Sequence, residues 1–216
     1  KKFATLPTVT ANGVQKAVYG NIGKPEDVQN VVQHGGEGIG LFRTEFLFMD
    51  RSLEPTEEEQ FEAYSTVAKA MHGKEVIIRT LDVGGDKDIP YLSIEKEENP
   101  FLGFRAIRYC LKNTALFKRQ LRAILRASAY GNVKIMLPLV TCVEEIRSAK
   151  ALVDECAAEL NAEGQTIKEV PVGIMVETPA AALTSDLLAK EAAFFSIGTN
   201  DLTGYIMAVD RGNAKV

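Results

Sequence analysis

The strongest constraint on the fold of this chain is an alternation between short apolar runs and longer amphipathic segments, repeated six times along 216 residues. The runs are almost continuously apolar, as expected for strands that are buried on both faces of a parallel sheet. Strands that alternate with helices predict right-handed β–α–β crossovers. We therefore predict an α/β fold whose six strands are residues 17–23, 38–45, 75–82, 133–140, 172–177 and 194–199.

The segments between these strands have the periodicity of helices. Thr56 and Glu59 form the pattern of an N-terminal capping box, and apolar residues recur at helical spacing behind it. No linker, low-complexity tract or block of charge divides the chain, which predicts a single domain over residues 1–216. The predicted helices are residues 25–34, 56–72, 100–112, 114–130, 143–163 and 179–190, with a further one beginning at residue 201.

Two architectures accommodate this order of elements, an open doubly wound sheet and a (β/α) barrel. The Gly-rich run at residues 35–40 precedes a strand instead of following one, so it is not the phosphate-binding turn of a nucleotide-binding open sheet. Five of the six predicted strands end in charged or hydrogen-bonding residues. Because such ends converge on one mouth in a barrel, we predict a TIM-type (β/α) barrel.

Composition limits the partners of this chain. A net charge of −4 and a pI near 5.4 do not indicate binding to nucleic acid or to an anionic membrane surface. No apolar run approaches the roughly 18 residues that insertion across a bilayer requires. The three cysteines are odd in number, and their spacing fits neither a disulfide framework nor a zinc site. This usage predicts a reducing, cytoplasmic location.

Two arginines and two carboxylates are the most informative residues at the strand ends. Arg43 and Arg79 end the second and third predicted strands. Glu177 ends the fifth, and Asp201 follows the sixth. Arginine presents a rigid fork of N–H donors to phosphate or carboxylate oxygens, and a pair of carboxylates suits Mg²⁺. The set predicts a site for a small phosphorylated anion.

Each of these residues also has an interpretation that needs no ligand. An arginine at a strand end is often half of an ion pair at the barrel rim, and Asp201 could cap the helix that follows it. His34 and His72 both precede a glycine at a predicted helix end, where a cation is favourable, so they indicate no catalytic role. Convergence of two arginines and two acids on one mouth favours the ligand site.

Five motifs, in the same order along the chain, resemble the phosphoenolpyruvate (PEP)-binding barrel of enzyme I of the bacterial sugar phosphotransferase system. The resemblance covers essentially the whole chain. The motifs are GIGLFRTEFLFMDR at 38–51, RTLDVGGDK at 79–87, NPFLGFRAIR at 99–108, GIMVETP at 173–179, and FSIGTNDLT at 195–203 with DRGN at 210–213.

This resemblance implies a (β/α)8 barrel and a set of roles at its mouth. Arginines would hold the phosphate of PEP, two carboxylates would ligate Mg²⁺, and an asparagine would hydrogen-bond the substrate. The phosphoryl group would pass to a histidine on a separate domain and then to the phosphocarrier protein. The implied substrate-binding residues are Arg43, Arg79, Arg105, Asn200, Asp201 and Arg211, and the implied metal ligands are Glu177 and Asp201.

The family barrel continues beyond the DRGN motif, so the resemblance implies an incomplete barrel of about six β/α units. The proton-donor cysteine and the phosphohistidine of the family have no counterpart in this chain. We therefore expect no catalytic residue and no turnover from the chain alone, and a homodimer for the full-length protein. The first and last strands would have unpaired edges, which favours association or marginal stability.

Two other functions fit parts of the pattern. PEP synthase and pyruvate phosphate dikinase share the barrel and the general pattern of arginine, glutamate and Asn-Asp. The motifs at 38–51 and 79–87 resemble enzyme I more closely. A non-catalytic fragment that oligomerises or binds partners is the third hypothesis, and a titration with PEP and Mg²⁺ separates it from the first.

Overall fold

A computed structural model of the chain describes residues 6, 8–84, 89–92, 94–210 and 212–216. In this described part, six strands form one sheet, every neighbouring pair is parallel, and the order across the sheet is the order along the chain. The predicted α/β fold with six parallel strands is confirmed. The strands are β1 (Tyr19–Ile22), β2 (Gly38–Arg43), β3 (Glu75–Arg79), β4 (Asn132–Leu137), β5 (Val172–Val176) and β6 (Phe195–Ile197).

Helices connect consecutive strands, as the sequence predicts. The capping box at the start of the longest early helix is present, since Thr56 accepts a hydrogen bond from the Glu59 N–H and the Glu59 carboxylate accepts one from the Thr56 N–H. The helices are α1 (Asp27–Gln33), α2 (Glu45–Phe48), α3 (Glu57–Ala70), α4 (Ala106–Lys112), α5 (Thr114–Ala127), α6 (Val143–Ala162), α7 (Pro179–Leu183), α8 (Ser185–Leu188) and α9 (Thr199–Met207).

Two helices predicted as continuous are interrupted, and that prediction was wrong. Residues 100–112 form a 3₁₀ turn, Pro100–Leu102, and then α4, because the backbone is extended at Gly103 and Arg105. The Glu97 carboxylate accepts the Phe104 N–H in this extended stretch, which supplies a partner that a helix would otherwise provide. Residues 179–190 divide into α7 and α8 at Thr184.

Strands β2 and β6 also end earlier than predicted. Glu45 begins α2 instead of ending β2, and Thr199 begins α9 instead of ending β6. Asn200 and Asp201 therefore lie in the first turn of a helix that starts directly after a short strand. The shorter strands leave the polar residues in the loops and helix starts that surround the mouth.

The sheet is strongly curled. Asn21 on β1 and Ile197 on β6 line the same cavity, although these strands are the two edges of the sheet. In a flat sheet, strands one and six would lie about 24 Å apart, at about 4.8 Å per neighbour. The curl produces a half-barrel of six strands, which confirms the predicted incomplete barrel.

The two faces of the curled sheet carry separate apolar clusters. On the outer face, Phe42, Ile78 and other strand residues join a large core with α3, α5 and α6. On the inner face, Ile77, Met136 and Met175 form a small cluster. This alternation is the two-residue period of a strand whose faces are both covered.

Two further predictions concern the unpaired edges of the sheet and the possibility of a membrane-spanning segment. In the described part of the sheet, β1 and β6 each pair with one neighbour, and Ile197 on β6 is 69% exposed. The association of the isolated chain through these edges stays a prediction. None of the described helices is both long enough and apolar enough to cross a membrane.

Candidate functional site

A cavity of about 380 Å³ lies at the carboxyl ends of the strands, inside the curl of the sheet. All but one of the site residues that the sequence predicts line it, so the predicted convergence of the strand ends is observed. Arg211 lies outside the described residues. The predicted residues that line the cavity are Arg43, Arg79, Arg105, Glu177, Asn200 and Asp201.

Arg79, at the end of β3, is buried and held by two acids. Its Nη2 donates to Glu45 Oε1 at 2.7 Å and lies 3.1 Å from Asp82 Oδ2. Burial by itself would lower the pKa of Arg79, but Asp82 and Glu45 raise that pKa above its usual value. The guanidinium therefore stays charged inside the curled sheet.

Arg105 contacts the other oxygen of the same Asp82 carboxylate. Its Nη2 donates to Asp82 Oδ1 at 2.8 Å and lies 3.7 Å from Asp201 Oδ2. Asp82 thus bridges two arginines. The approach requires a glycine at position 84, where φ is +100° and an added Cβ would lie 2.5 Å from the Arg105 Cβ.

Asp82 and Glu45 line the cavity and pair with its arginines, and the sequence analysis did not select them as site residues. Both lie in the motifs that contain Arg79 and Arg43, directly behind the strands that carry these arginines. The available signal was an acid within three residues of each predicted arginine. The interpretation of an arginine as half of an ion pair is therefore correct for Arg79, but this pair lies buried within the cavity and does not close an outer rim.

Three arginines of the cavity have buried N–H groups without a hydrogen-bond partner among the described residues. These groups are the Nε atoms of Arg43, Arg79 and Arg105, together with Nη1 of Arg105. The Arg43 guanidinium also lies 5.1 Å from the centre of the Phe46 ring, which holds it over an aromatic face. A buried donor without a partner is costly, and an anionic ligand with several oxygens would satisfy such donors.

Glu177, directly after β5, also lines the cavity. Its Oε1 accepts the Leu139 N–H at 2.7 Å, and Leu139 holds a left-handed backbone with φ of +55°. That conformation is strained for leucine and orients the N–H toward the carboxylate. Burial, followed by the negative charge of Asp82, raises the pKa of Glu177 to about 7, with a smaller contribution from Asp201.

The acids of the cavity fit a divalent cation that is shared with a ligand. No group of three or more His, Cys, Asp and Glu side chains with metal-binding geometry occurs in the described ranges. Mg²⁺ commonly takes one or two protein carboxylates and completes its shell with water and substrate phosphate oxygens. Glu177 and Asp201 can supply two carboxylates, and a cation would offset the repulsion that raises the Glu177 pKa.

The position of Asp201 excludes its interpretation as a helix cap. Gly198 is the N-cap residue of α9, and no side-chain hydrogen bond caps this helix. Asp201 lies within the first turn, where a negative charge is favoured by the helix dipole, and it faces Arg105.

Gly198 permits β6 and α9 to approach Glu177. A Cβ at this position would lie 2.6 Å from the Glu177 Cβ and 2.7 Å from its Oε2. The backbone angle φ at Gly198 is −86°, which any residue can adopt, so the requirement for glycine is one of space alone. The sequence alone gave no reason to single out this glycine.

The substitution Gly198→Ala is expected to displace Glu177 and to lower stability by about 1–3 kcal/mol, the usual range for overpacking a tight contact. Thermal unfolding measured by circular dichroism gives the stability. Gly204→Ala is the matched control because an added methyl group there meets one atom within 4 Å, the Val209 oxygen at 3.3 Å. Equal melting temperatures for the Gly198→Ala variant and the unmodified chain would contradict the close approach.

Comparison with known proteins identifies a family that this chain matches. The profile of the family described as "PEP-utilising enzyme, PEP-binding domain" matches residues 1–216. Similar curated proteins are the phosphoenolpyruvate-protein phosphotransferases of Priestia megaterium, 55% identical over 216 residues, and of Bacillus subtilis (strain 168), 53% identical over 216 residues. Each alignment covers 100% of this chain and 38% of the relative, so the chain spans well under half the length of these proteins.

A solved structure supports the fold independently. The crystal structure of a citrate lyase from Burkholderia xenovorans LB400 matches with a TM-score of 0.54 over 98% of this chain and 56% of that one. The sequence identity is 19%, so the likeness concerns the fold alone.

Proposed function

Because the chain belongs to the PEP-utilising enzymes and matches their PEP-binding domain along its whole length, we propose that it binds PEP as one domain of a PEP–protein phosphotransferase. The proposed domain spans residues 1–216. We call this longer enzyme the parent phosphotransferase.

The observation that carries this proposal is the group of three arginines around one cavity, each with a buried N–H that no described residue accepts. The phosphate of PEP carries several strongly accepting oxygens, and arginine matches their geometry. Arg43, Arg79 and Arg105 would hold this phosphate, and Arg211 is proposed as a fourth contact on the resemblance of its motif. Asn200, on the cavity wall, would hydrogen-bond the rest of the substrate.

Mg²⁺ is the proposed cofactor, held by Glu177 and Asp201. When bound, it would neutralise negative charge on the substrate and orient its oxygens. The ligand set fits, since both acids line the cavity that the arginines also line. Asp201 Oδ2 also lies 3.7 Å from Arg105 Nη2.

The residues of this chain would bind and orient the substrate, and the curled sheet would limit the access of water. In phosphoryl transfer, positioning and electrostatic stabilisation account for most of the catalysis. The phosphoryl group is proposed to pass to a histidine of a separate domain and on to the phosphocarrier protein. A homodimeric parent enzyme in the cytoplasm completes the proposal.

The relatives described above carry the phosphotransferase name, which favours this function over a PEP synthase or a pyruvate phosphate dikinase. No feature of the described cavity favours a purely non-catalytic role in oligomerisation.

A calorimetric titration of PEP tests the proposal, with both the chain and the parent phosphotransferase. We expect saturable binding with Mg²⁺ and much weaker binding in excess chelator, because the carboxylates would then repel the substrate. Inorganic phosphate is the control for a general anion site. If the parent enzyme neither binds PEP nor transfers its phosphoryl group to a protein, the proposed function is wrong.

A further inference from the structure

A chain of buried polar side chains lies behind the cavity, between the sheet and the helices of its outer face. Gln120 on α5, Tyr64 on α3 and Thr44 directly after β2 are fully buried, with no exposed surface. Buried polar groups are expensive unless every donor and acceptor is satisfied. The hydrogen bonds of this group show what it holds in place.

Gln120 is the centre of the group, and its amide orientation follows from its partners. The Leu81 N–H donates to Gln120 Oε1 at 2.8 Å, which leaves the two N–H groups of Nε2 as donors. They donate to Thr44 Oγ1 at 3.1 Å and to the Tyr64 hydroxyl at 3.2 Å.

Both hydroxyls have already used their single hydrogen. Thr44 Oγ1 donates to the Arg79 carbonyl oxygen at 2.8 Å, and the Tyr64 hydroxyl donates to Gln60 Oε1 at 3.1 Å. Each hydroxyl oxygen can therefore only accept a hydrogen bond from the side chain at position 120. A side chain with one acceptor and two donors is required there, and glutamine supplies this combination.

These bonds extend the connection between β2 and β3 past the end of their ladder. The last register pair of the two strands is Arg43 with Arg79. Beyond that pair, Thr44 binds the Arg79 carbonyl and Gln120 binds both Thr44 and the Leu81 N–H. The residues tied together are the immediate sequence neighbours of Arg43, Glu45 and Asp82.

We propose that Gln120 is a positioning residue for the PEP site, a role that rests on the function proposed above. It does not line the cavity, and it acts by setting the backbone positions from which Arg43, Arg79 and Asp82 extend. Arginine forks depend on accurate placement, and a shift of about 1 Å at a reacting group can lower activity by about 100-fold.

The test compares two buried glutamines in the parent phosphotransferase. Gln60, 1% exposed on α3, donates to the Pro55 carbonyl at 3.1 Å and accepts from Tyr64, so it belongs to the same group but makes no bond to β2 or β3. Gln120→Leu and Gln60→Leu should both lower the melting temperature. Only Gln120→Leu should lower kcat/KM for PEP, by about 10- to 100-fold, with Gln60→Leu within about 2-fold of the unmodified enzyme.

Equal effects of the two variants on kcat/KM, or no effect of Gln120→Leu, would overturn the assignment. Thr44→Val is the second variant if Gln120→Leu does not fold, since it retains the shape of the side chain and removes the link to the Arg79 carbonyl. It should also lower kcat/KM, and unchanged activity would refute the proposal. An unmodified parent enzyme that does not use PEP would instead refute the proposed function.

Discussion

Replacing Arg79 by lysine is expected to lower kcat/KM for PEP in the parent phosphotransferase by about 10³-fold, the upper range for removing one preorganised donor of developing charge. The Arg79 guanidinium contacts Glu45 and Asp82 through one nitrogen and keeps its Nε without a described partner. Lysine carries the same charge at a single nitrogen, so it could replace Nη2 beside the two acids but would supply no donors at the positions of Nε and Nη1 for the substrate phosphate.

Lysine is preferred to methionine at this position because a neutral side chain would leave two buried carboxylates without their cation. Breaking a buried ion pair in that way typically costs about 3–5 kcal/mol, which would confuse a loss of folding with a loss of activity. The melting temperature of Arg79→Lys should therefore be measured beside its steady-state kinetics with PEP.

Arg147→Lys is the control for Arg79→Lys. Arg147 also forms an ion pair, with Glu191, but its side chain is 63% exposed and lies outside the cavity. Its replacement should change neither kcat/KM nor stability appreciably, because an exposed pair contributes little. An Arg79→Lys enzyme that retains full activity would show that Arg79 is only a structural ion-pair partner.

Replacing Glu177 by glutamine is expected to lower kcat/KM by about 10²–10³-fold and to remove most of the Mg²⁺ dependence of PEP binding. Glutamine retains the size of the side chain and an oxygen that can accept the Leu139 N–H, so the fold should persist. Titration of Mg²⁺ at fixed PEP measures the effect. An unchanged Mg²⁺ response would exclude Glu177 as a ligand.

The same substitution has a second consequence for the metal-free chain. The Glu177 pKa rises from its ordinary 4.5 to about 7 on folding, so between these values the folded state binds the proton more tightly than the unfolded state. Glu177 therefore makes stability fall as pH rises from about 4.5 to about 7, by on the order of 3 kcal/mol. Glu177→Gln should remove this decline in denaturant unfolding experiments with chelator present.

Glu191→Gln is the control for the pH dependence because the shift at Glu191 has the opposite sign. Hydrogen bonding to Arg147 lowers the Glu191 pKa, so this carboxylate contributes stability that is lost as pH falls. If the stability of Glu177→Gln still falls between about pH 4.5 and 7, the fall is caused by another titratable group.

The order of the strands and the positions of the main candidate residues at one mouth could be predicted from the sequence. Continuous apolar runs and helical periodicity are local patterns, and they are sufficient to place Arg43, Arg79 and Glu177 at the ends of parallel strands. Parallel strands direct all their carboxyl ends toward the same edge, so convergence follows from topology without knowledge of distances.

The role of Arg105 could be judged only from the family resemblance and the structure together. The resemblance assigned it to the substrate, but the predicted helix over residues 100–112 placed it inside a regular element. In the structure, the extended stretch at Gly103 and Arg105 interrupts that helix, and the side chain reaches Asp82 and Asp201. Local helix propensity was outweighed by contacts with residues distant in the chain.

Periodicity and the residue that ends each apolar run were sufficient to predict the six parallel strands, the helical character of the segments between them, and the positions of Arg43, Arg79, Glu177 and Asp201 at the mouth. Which charges meet depends on how distant segments pack. Arg105 meets Asp201, which follows the edge strand β6, because the sheet curls. Gln120 looks like an ordinary polar residue of an amphipathic helix until its hydrogen bonds to Thr44 and Leu81 are seen. Pairing of this kind depends on the curvature of the sheet and on packing between distant segments, which no local pattern of residues records.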